Sequence, residues 1–169
     1  MTDAEFQAAF DQHKDAVYRF AWRMSGSTAA DDITQDVFVG LLRHPDRFDP
    51  ARGTLRAFLL GIARNLALKH WRSEHRFEPL DDEVFVAKPL DLERGDIGDM
   101  VGRAVRALPP LQREAVILFE YEGLTLAEVA RAVDADVGTV KSRLHRAREN
   151  LRRALAPLRT RQPAKGLCP

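Results

Sequence analysis

The chain has 169 residues, 45% of them apolar and 30% charged, with a formal net charge of +1, which suits one ordinary folded domain or two small ones. It contains no run of about eighteen apolar residues, and its start, MTDAEFQAAFDQHKD, carries acids where a secretory leader needs an apolar segment. A membrane span and an exported protein are therefore not expected, and a cytoplasmic one is. The one cysteine, Cys168, and five scattered histidines exclude an internal disulfide and offer no ligand spacing for zinc, so no metal or cofactor is expected.

The charge is unevenly spread. Residues 1–50 carry five Lys/Arg and nine Asp/Glu. Residues 52–76 carry six and one, 77–99 two and eight, 100–137 four and six, and 138–161 eight and one. Two basic blocks thus flank an acidic one. This pattern fits either solvated helix faces or a polyanion touched at two places.

In chain order, a first helix is predicted over EFQAAFDQHKDAVYRFAWRM, with Phe6, Phe10, Val17, Phe20, Ala21 and Met24 at helical spacing and Trp22 in the core. SGST interrupts it. Thr28 with Asp31 resembles a capping box for a second helix, along which Ile33, Val37 and Leu41 recur, with Phe38 and Leu42 beside them. Pro45 ends that helix, and HPDRFDPARG reads as a loop. Thr54 starts a third helix with Leu55, Leu59, Ile62 and Leu66 as its inner stripe.

Residues 77–98 are acidic, rich in proline and glycine, and read as a linker with a short ordered piece at EVFV. A short helix from Met100 to Leu108 follows, stopped by Pro109 and Pro110. Another runs from Leu111 to Tyr121 and is closed by Gly123. Thr125 and Glu128 form a capping box for LAEVARAV, and Asp136 caps the last helix. The fold class expected is all-α: two small helical domains, 1–76 and 99–156, with 157–169 as a disordered tail.

The last helix divides into faces at about 100° per residue. Val140, Leu144, Ala147, Leu151 and Leu155 point inward, and Ser142, His145, Arg146 and Glu149 lie opposite. Lys141 and Arg148 occupy one flank and Arg143 the other. A short capped helix, a tight turn and a longer basic helix is the helix-turn-helix arrangement, whose second helix presents its N-terminal residues to base edges. No nucleophile with a base, no metal set and no phosphate loop is present to support an enzyme.

Two long stretches resemble a known family. LPPLQREAVILFEYEGLTLAEVARAVDADVGTVKSRLHRARENLRRAL is similar to the promoter-binding C-terminal domain of extracytoplasmic-function (ECF) RNA polymerase sigma factors. DDITQDVFVGLLRHPDRFDPARGTLRAFLLGIARNLALKHWR is similar to their N-terminal domain. The resemblance implies a polymerase subunit that recognises and opens promoters, with core RNA polymerase and promoter DNA as partners and an anti-sigma factor as a further one. It implies that Asp32, Gln35, Asp36 and Phe38 dock on the polymerase, although acids near a helix N-terminus also answer its dipole. For the minus-ten element it brings in Arg52, Arg56, Arg64, Asn65, Lys69 and Arg72, with Trp71 either a stacking wall for an unstacked base or a core residue.

For the minus-thirty-five element the resemblance implies Thr139, Lys141, Ser142, Arg143, His145 and Arg146. Arg148, Arg152 and Arg153 would touch phosphates or the neighbouring surface. Two alternatives stay open: a sigma-like decoy that titrates an anti-sigma factor, and a free-standing helix-turn-helix regulator. Open too is whether the two halves pack together in the free chain.

Overall fold

A computed structural model describes residues 1–80, 85–91, 96 to 159; among these it is helical, with no strand. Helix α1 spans Asp3–Ser25. Its start is fixed by a capping box: Thr2 Oγ1 accepts from the Glu5 backbone N–H at 3.2 Å, and the Thr2 N–H donates to Glu5 Oε2 at 2.6 Å. It ends at Gly26, whose φ of 82° suits a residue without a side chain, and whose N–H closes on the Trp22 carbonyl at 2.8 Å. Gly26 also precedes α2, Ser27–Arg43, so one residue makes the whole corner. The expected Thr28–Asp31 cap does not form, because α2 begins before Thr28 and carries no side-chain cap.

Helix α2 buries Ile33, Val37, Phe38 and Leu41 against α1. Phe10 meets Phe38 edge-on with ring centroids 4.9 Å apart, and Phe6 meets it at 6.4 Å. Two short 3-10 turns, Pro45–Arg47 and Pro50–Arg52, carry the chain to α3, Leu55–Glu74. Thr54 caps α3 by accepting from the Ala57 N–H at 3.2 Å. The buried line of α3 is Leu59, Leu60, Ala63, Ala67 and Leu68. Leu55, Ile62 and Leu66 flank it half-buried. The expected stripe is rotated because α3 packs on α1 and α2 on one side and on the C-terminal helices on the other.

The C-terminal half opens with α4, Ile97–Ala107, three residues earlier than the sequence predicts. Pro110 occupies the first turn of α5, Pro110–Val116, where a missing N–H costs nothing. The chain then widens into a π-turn, Ile117–Tyr121, and leaves it through Gly123 at φ 67°. Thr125 and Glu128 form the expected capping box of α6, Leu126–Ala132. Asp136 caps α7, Val137–Ala154, by accepting from the Thr139 N–H at 2.6 Å. A last turn, α8, spans Ala156–Arg159. The inward line of α7 is Val140, Leu144, Ala147, Asn150 and Ala154. Leu151 and Leu155 are half-buried beside it.

Glu83 and Val84 of the expected ordered piece lie outside the described residues, and Phe85 and Val86 are in no regular element. The connecting segment nonetheless touches α7. The Ala87 N–H donates to Asn150 Oδ1 at 3.1 Å, and the Leu90 N–H to the Ala154 carbonyl at 3.0 Å. Asn150 Nδ2 passes the chain of bonds on to the buried Gln112 Oε1 at 2.9 Å.

The apolar core runs without a break from α1 to α7, so the N-terminal lobe (α1–α3) and the C-terminal lobe (α4–α8) are packed on one another. Trp22, expected in the core, is 38% exposed at this seam, with the Arg106 guanidinium of α4 over its ring at 5.2 Å.

Two outcomes follow from the packing of α1. Phe38→Ala should cost about 3–5 kcal/mol in urea unfolding, the price of emptying an aromatic site. His13 is buried, and desolvation, followed by the charge of Arg56, holds its imidazole below the ordinary value of 6.5. A depressed folded pKa gives stability that is present above 6.5 and is lost as pH falls toward the folded value. The stability difference between wild type and His13→Gln should therefore shift toward the variant between pH 7.5 and 5.5, as read by urea titrations at both values.

Candidate nucleic-acid and polymerase-docking surfaces

The outer face of α2 presents Asp32, Gln35 and Asp36 to solvent, with the two aspartates one turn apart. The first turn of α2 contains no acid, so the aspartates lie beyond the reach of the helix dipole. No ion pair within the chain explains this face among the described residues, and it is available to arginines or lysines of another molecule. Phe38 does not share it. At 3% exposure, packed on Phe6 and Phe10, its ring shapes the helix from beneath and offers nothing to a partner.

The second surface divides in two. Asn65, Lys69 and Arg72 stand exposed along α3. Trp71 is half-buried and stacked on His75, centroids 4.6 Å apart and rings 9° from parallel, so it is neither a core residue nor a bare wall. Arg52 is exposed as well, and only its backbone is engaged by the C-terminal lobe; Arg56 and Arg64 behave differently, since their guanidinium groups are held there. The Arg52 carbonyl accepts from Arg131 Nη1. Arg56 Nη2 lies 2.7 Å from Glu122 Oε2, and its Nη1 donates to the Glu122 carbonyl. Arg64 makes a two-pronged contact with Glu114, Nε to Oε2 at 2.6 Å and Nη2 to Oε1 at 2.9 Å.

The third surface is the N-terminal half of α7. Lys141, Ser142 and His145 are exposed together, and Thr139 and Arg146 are half-buried beside them. Lys141, Ser142, His145 and Arg146 combine donors for base edges and phosphates in the arrangement the helical wheel predicts. Arg143 leaves the set: its Nη1 turns inward to Glu114 Oε1 at 3.5 Å. Arg148 reaches Glu120 at 2.6 Å, and Arg152 and Arg153 lie near Glu149 at 3.7 and 3.8 Å. The Asp136 carboxyl is held below the usual range by the Thr139 backbone N–H it accepts, which keeps the cap of this helix charged.

The residues that sequence reasoning missed are the partners of these arginines, Glu114 and Glu122. Glu114 has no exposed surface and Glu122 is 3% exposed. Burial pushes the Glu114 carboxyl upward, and the Arg64 hydrogen bonds, with the charges of Arg64, Arg143 and Arg72, pull it back. A signal existed: Glu114 stands directly before the apolar run AVIL, at a position facing inward, and a carboxylate there demands a cation.

Residues 9–77 match the family described as Sigma-70 region 2, and residues 98–151 match Sigma-70, region 4. The ECF RNA polymerase sigma factor SigE of Mycolicibacterium smegmatis is 36% identical over 86% of this chain, which spans 59% of that protein's length. BldN of Streptomyces coelicolor, also an ECF sigma factor, is 33% identical, and the chain spans 60% of it. SigK of Mycobacterium tuberculosis is 31% identical over 90% of this chain and 86% of its own. Among solved structures, the sigma factor RpoE in complex with the anti-sigma factor NepR, from Bartonella quintana, is similar with a TM-score of 0.70 and 27% identity, covering 94% of this chain and 99% of that one. CnrH in complex with the cytosolic domain of CnrY gives 0.67 and 25%, covering 95% and 92%. With both sigma-70 regions in the order the helices carry them, and a relative matched over nearly its full length, the chain belongs to the ECF family of RNA polymerase sigma factors.

Proposed function

We propose that this chain binds core RNA polymerase, recognises promoter DNA and promotes strand opening at the start of transcription. The observation that carries the reading is the pairing, in one chain, of an exposed acidic face on α2 with an exposed basic face on α7. A free-standing helix-turn-helix regulator would have use for the second face alone. A decoy would have use for neither Lys141 nor His145.

In this reading residues 1–76 form the polymerase-docking and minus-ten unit, 77–98 the connector, and 99–156 the minus-thirty-five unit. Asp32, Gln35 and Asp36 dock on the polymerase. Arg52, Asn65, Lys69, Trp71 and Arg72 meet the opened strand, joined by Arg56 and Arg64 once the lobes part. Thr139, Lys141, Ser142, His145 and Arg146 read the upstream element. The role is recognition rather than catalysis, and its setting is the cytoplasm. No helix among the described residues is long and apolar enough to cross a membrane. The solved structure of RpoE in complex with the anti-sigma factor NepR, and that of CnrH in complex with the cytosolic domain of CnrY, support an anti-sigma partner here.

On a sizing column the purified chain should co-elute with bacterial core RNA polymerase, and Asp36→Arg should abolish co-elution while leaving urea stability within about 0.5 kcal/mol, as expected for a surface change. DNA binding intact with no polymerase complex would leave a free-standing regulator instead. His145→Ala should weaken promoter binding by about 1–3 kcal/mol and relax one base preference, whereas Arg152→Ala should weaken all sequences alike and lower the salt slope by about 1. Competition binding across single-base promoter variants separates the two.

A further inference from the structure

The seam between the lobes is charged in an unusual way. Two carboxylates of the C-terminal lobe, Glu114 and Glu122, are buried there. Arg19, Arg23 and Arg56 converge on Glu122 at 4.0, 3.7 and 2.7 Å, and all three belong to the N-terminal lobe. Glu114 holds Arg64 of the N-terminal lobe at 2.6 Å and Arg143 of its own lobe at 3.5 Å. Arg113 adds a reverse strap, donating to the Met24 carbonyl at the end of α1 at 2.6 Å as well as to the Leu108 carbonyl. Arginines thus outnumber carboxylates across the seam. If the lobes part, Glu122 loses every ion-pair partner it has among the described residues, and Glu114 keeps only Arg143.

The same seam covers the loop before α3. Arg131 of α6 donates to the Arg52 carbonyl, and Thr54 Oγ1 reaches Glu128 of the α6 capping box at 3.5 Å. The Arg131 guanidinium carbon stands 3.6 Å from where a Cβ on Gly53 would be. The side chains assigned to the melted strand and the helix-turn-helix unit are therefore fastened face to face.

We infer that Glu122 and Glu114 latch the two lobes together through Arg56 and Arg64, and that single-stranded DNA competes with the latch for those guanidinium groups. The competition rests on the function proposed above; the latch itself does not. A carboxylate and a phosphate are alternative partners for one planar guanidinium, and neither can share it fully with the other. The free chain is thereby held with Arg56 and Arg64 satisfied, and a polyanion must displace Glu122 and Glu114 to reach them.

Small-angle X-ray scattering of the full chain at 0.15 M salt tests the latch without polymerase or DNA. Glu122→Gln and Arg56→Gln should each enlarge the radius of gyration, with helical circular dichroism unchanged. The double variant should go no further than Glu122→Gln alone, which already removes the pair with Arg56. Gly61→Trp supplies an open reference, because a Cβ at Gly61 already lies 3.6 Å from the Ala132 Cα and a bulky ring wedges the lobes apart without altering charge. Folded single variants as compact as wild type, beside an expanded Gly61→Trp, would sink the latch.

Binding of a fluorescent single-stranded oligonucleotide tests the competition. Glu122→Gln and Gly61→Trp should both bind it several-fold more tightly than wild type. Expansion without tighter binding overturns the competition. Failure to co-elute with polymerase, with the scattering shift intact, counts against the proposed function and leaves the latch standing.

Discussion

A carboxylate with no exposed surface keeps its charge only against a cation, and Glu114 is such a group. Its position in α5, among Ala115, Val116, Ile117 and Leu118, gives it no water to turn to. It takes Arg143 from α7 and Arg64 from the opposite lobe. The orientation of α7 on α5 and the docking of α3 on both are thus tied to one side chain. Glu122 repeats the arrangement one element later, with arginines drawn wholly from across the seam. Apolar contact between the lobes brings them together; these two acids decide the register in which they meet.

Much of the fold was legible because helix starts are local. Thr54, Thr125 and Asp136 were read as starts from their own neighbours, and each accepts the N–H that the pattern requires. The misread positions depend on partners far along the chain. The buried line of α3 is turned because that helix serves two lobes, which its own periodicity cannot express. Trp22 is large and apolar and would suit a core, but it sits at the rim where Arg106 covers it from a helix about eighty residues on. Thr28 and Asp31 have the spacing of a cap, yet Gly26 starts the helix first.

The candidate surfaces show the same division. Exposure of Asp32 and Asp36 and of Lys141, Ser142 and His145 follows from opposing each to a buried stripe on its own helix, so it was readable. Phe38 was assigned by motif to the docking face although its spacing put it beside the buried stripe, and the cage of Phe6 and Phe10 shows that it belongs beneath. Arg56, Arg64 and Arg143 are basic residues in basic blocks, and nothing local marks them as already spoken for. Their partners are single acids in the other half of the chain or a helix away.

The bonds from Ala87 and Leu90 to the end of α7 bear on how far the halves can travel. Between residues 77 and 96 the chain could span at most about 65–70 Å if fully drawn out, the rise of about 20 base pairs of duplex. With Ala87 hooked to Asn150, only the stretch before it pays out, and the reach falls to about half that length. Asn150 and Gln112 thus act as a brake on the tether. The separation the two lobes can reach is set by whether that small buried pair lets go.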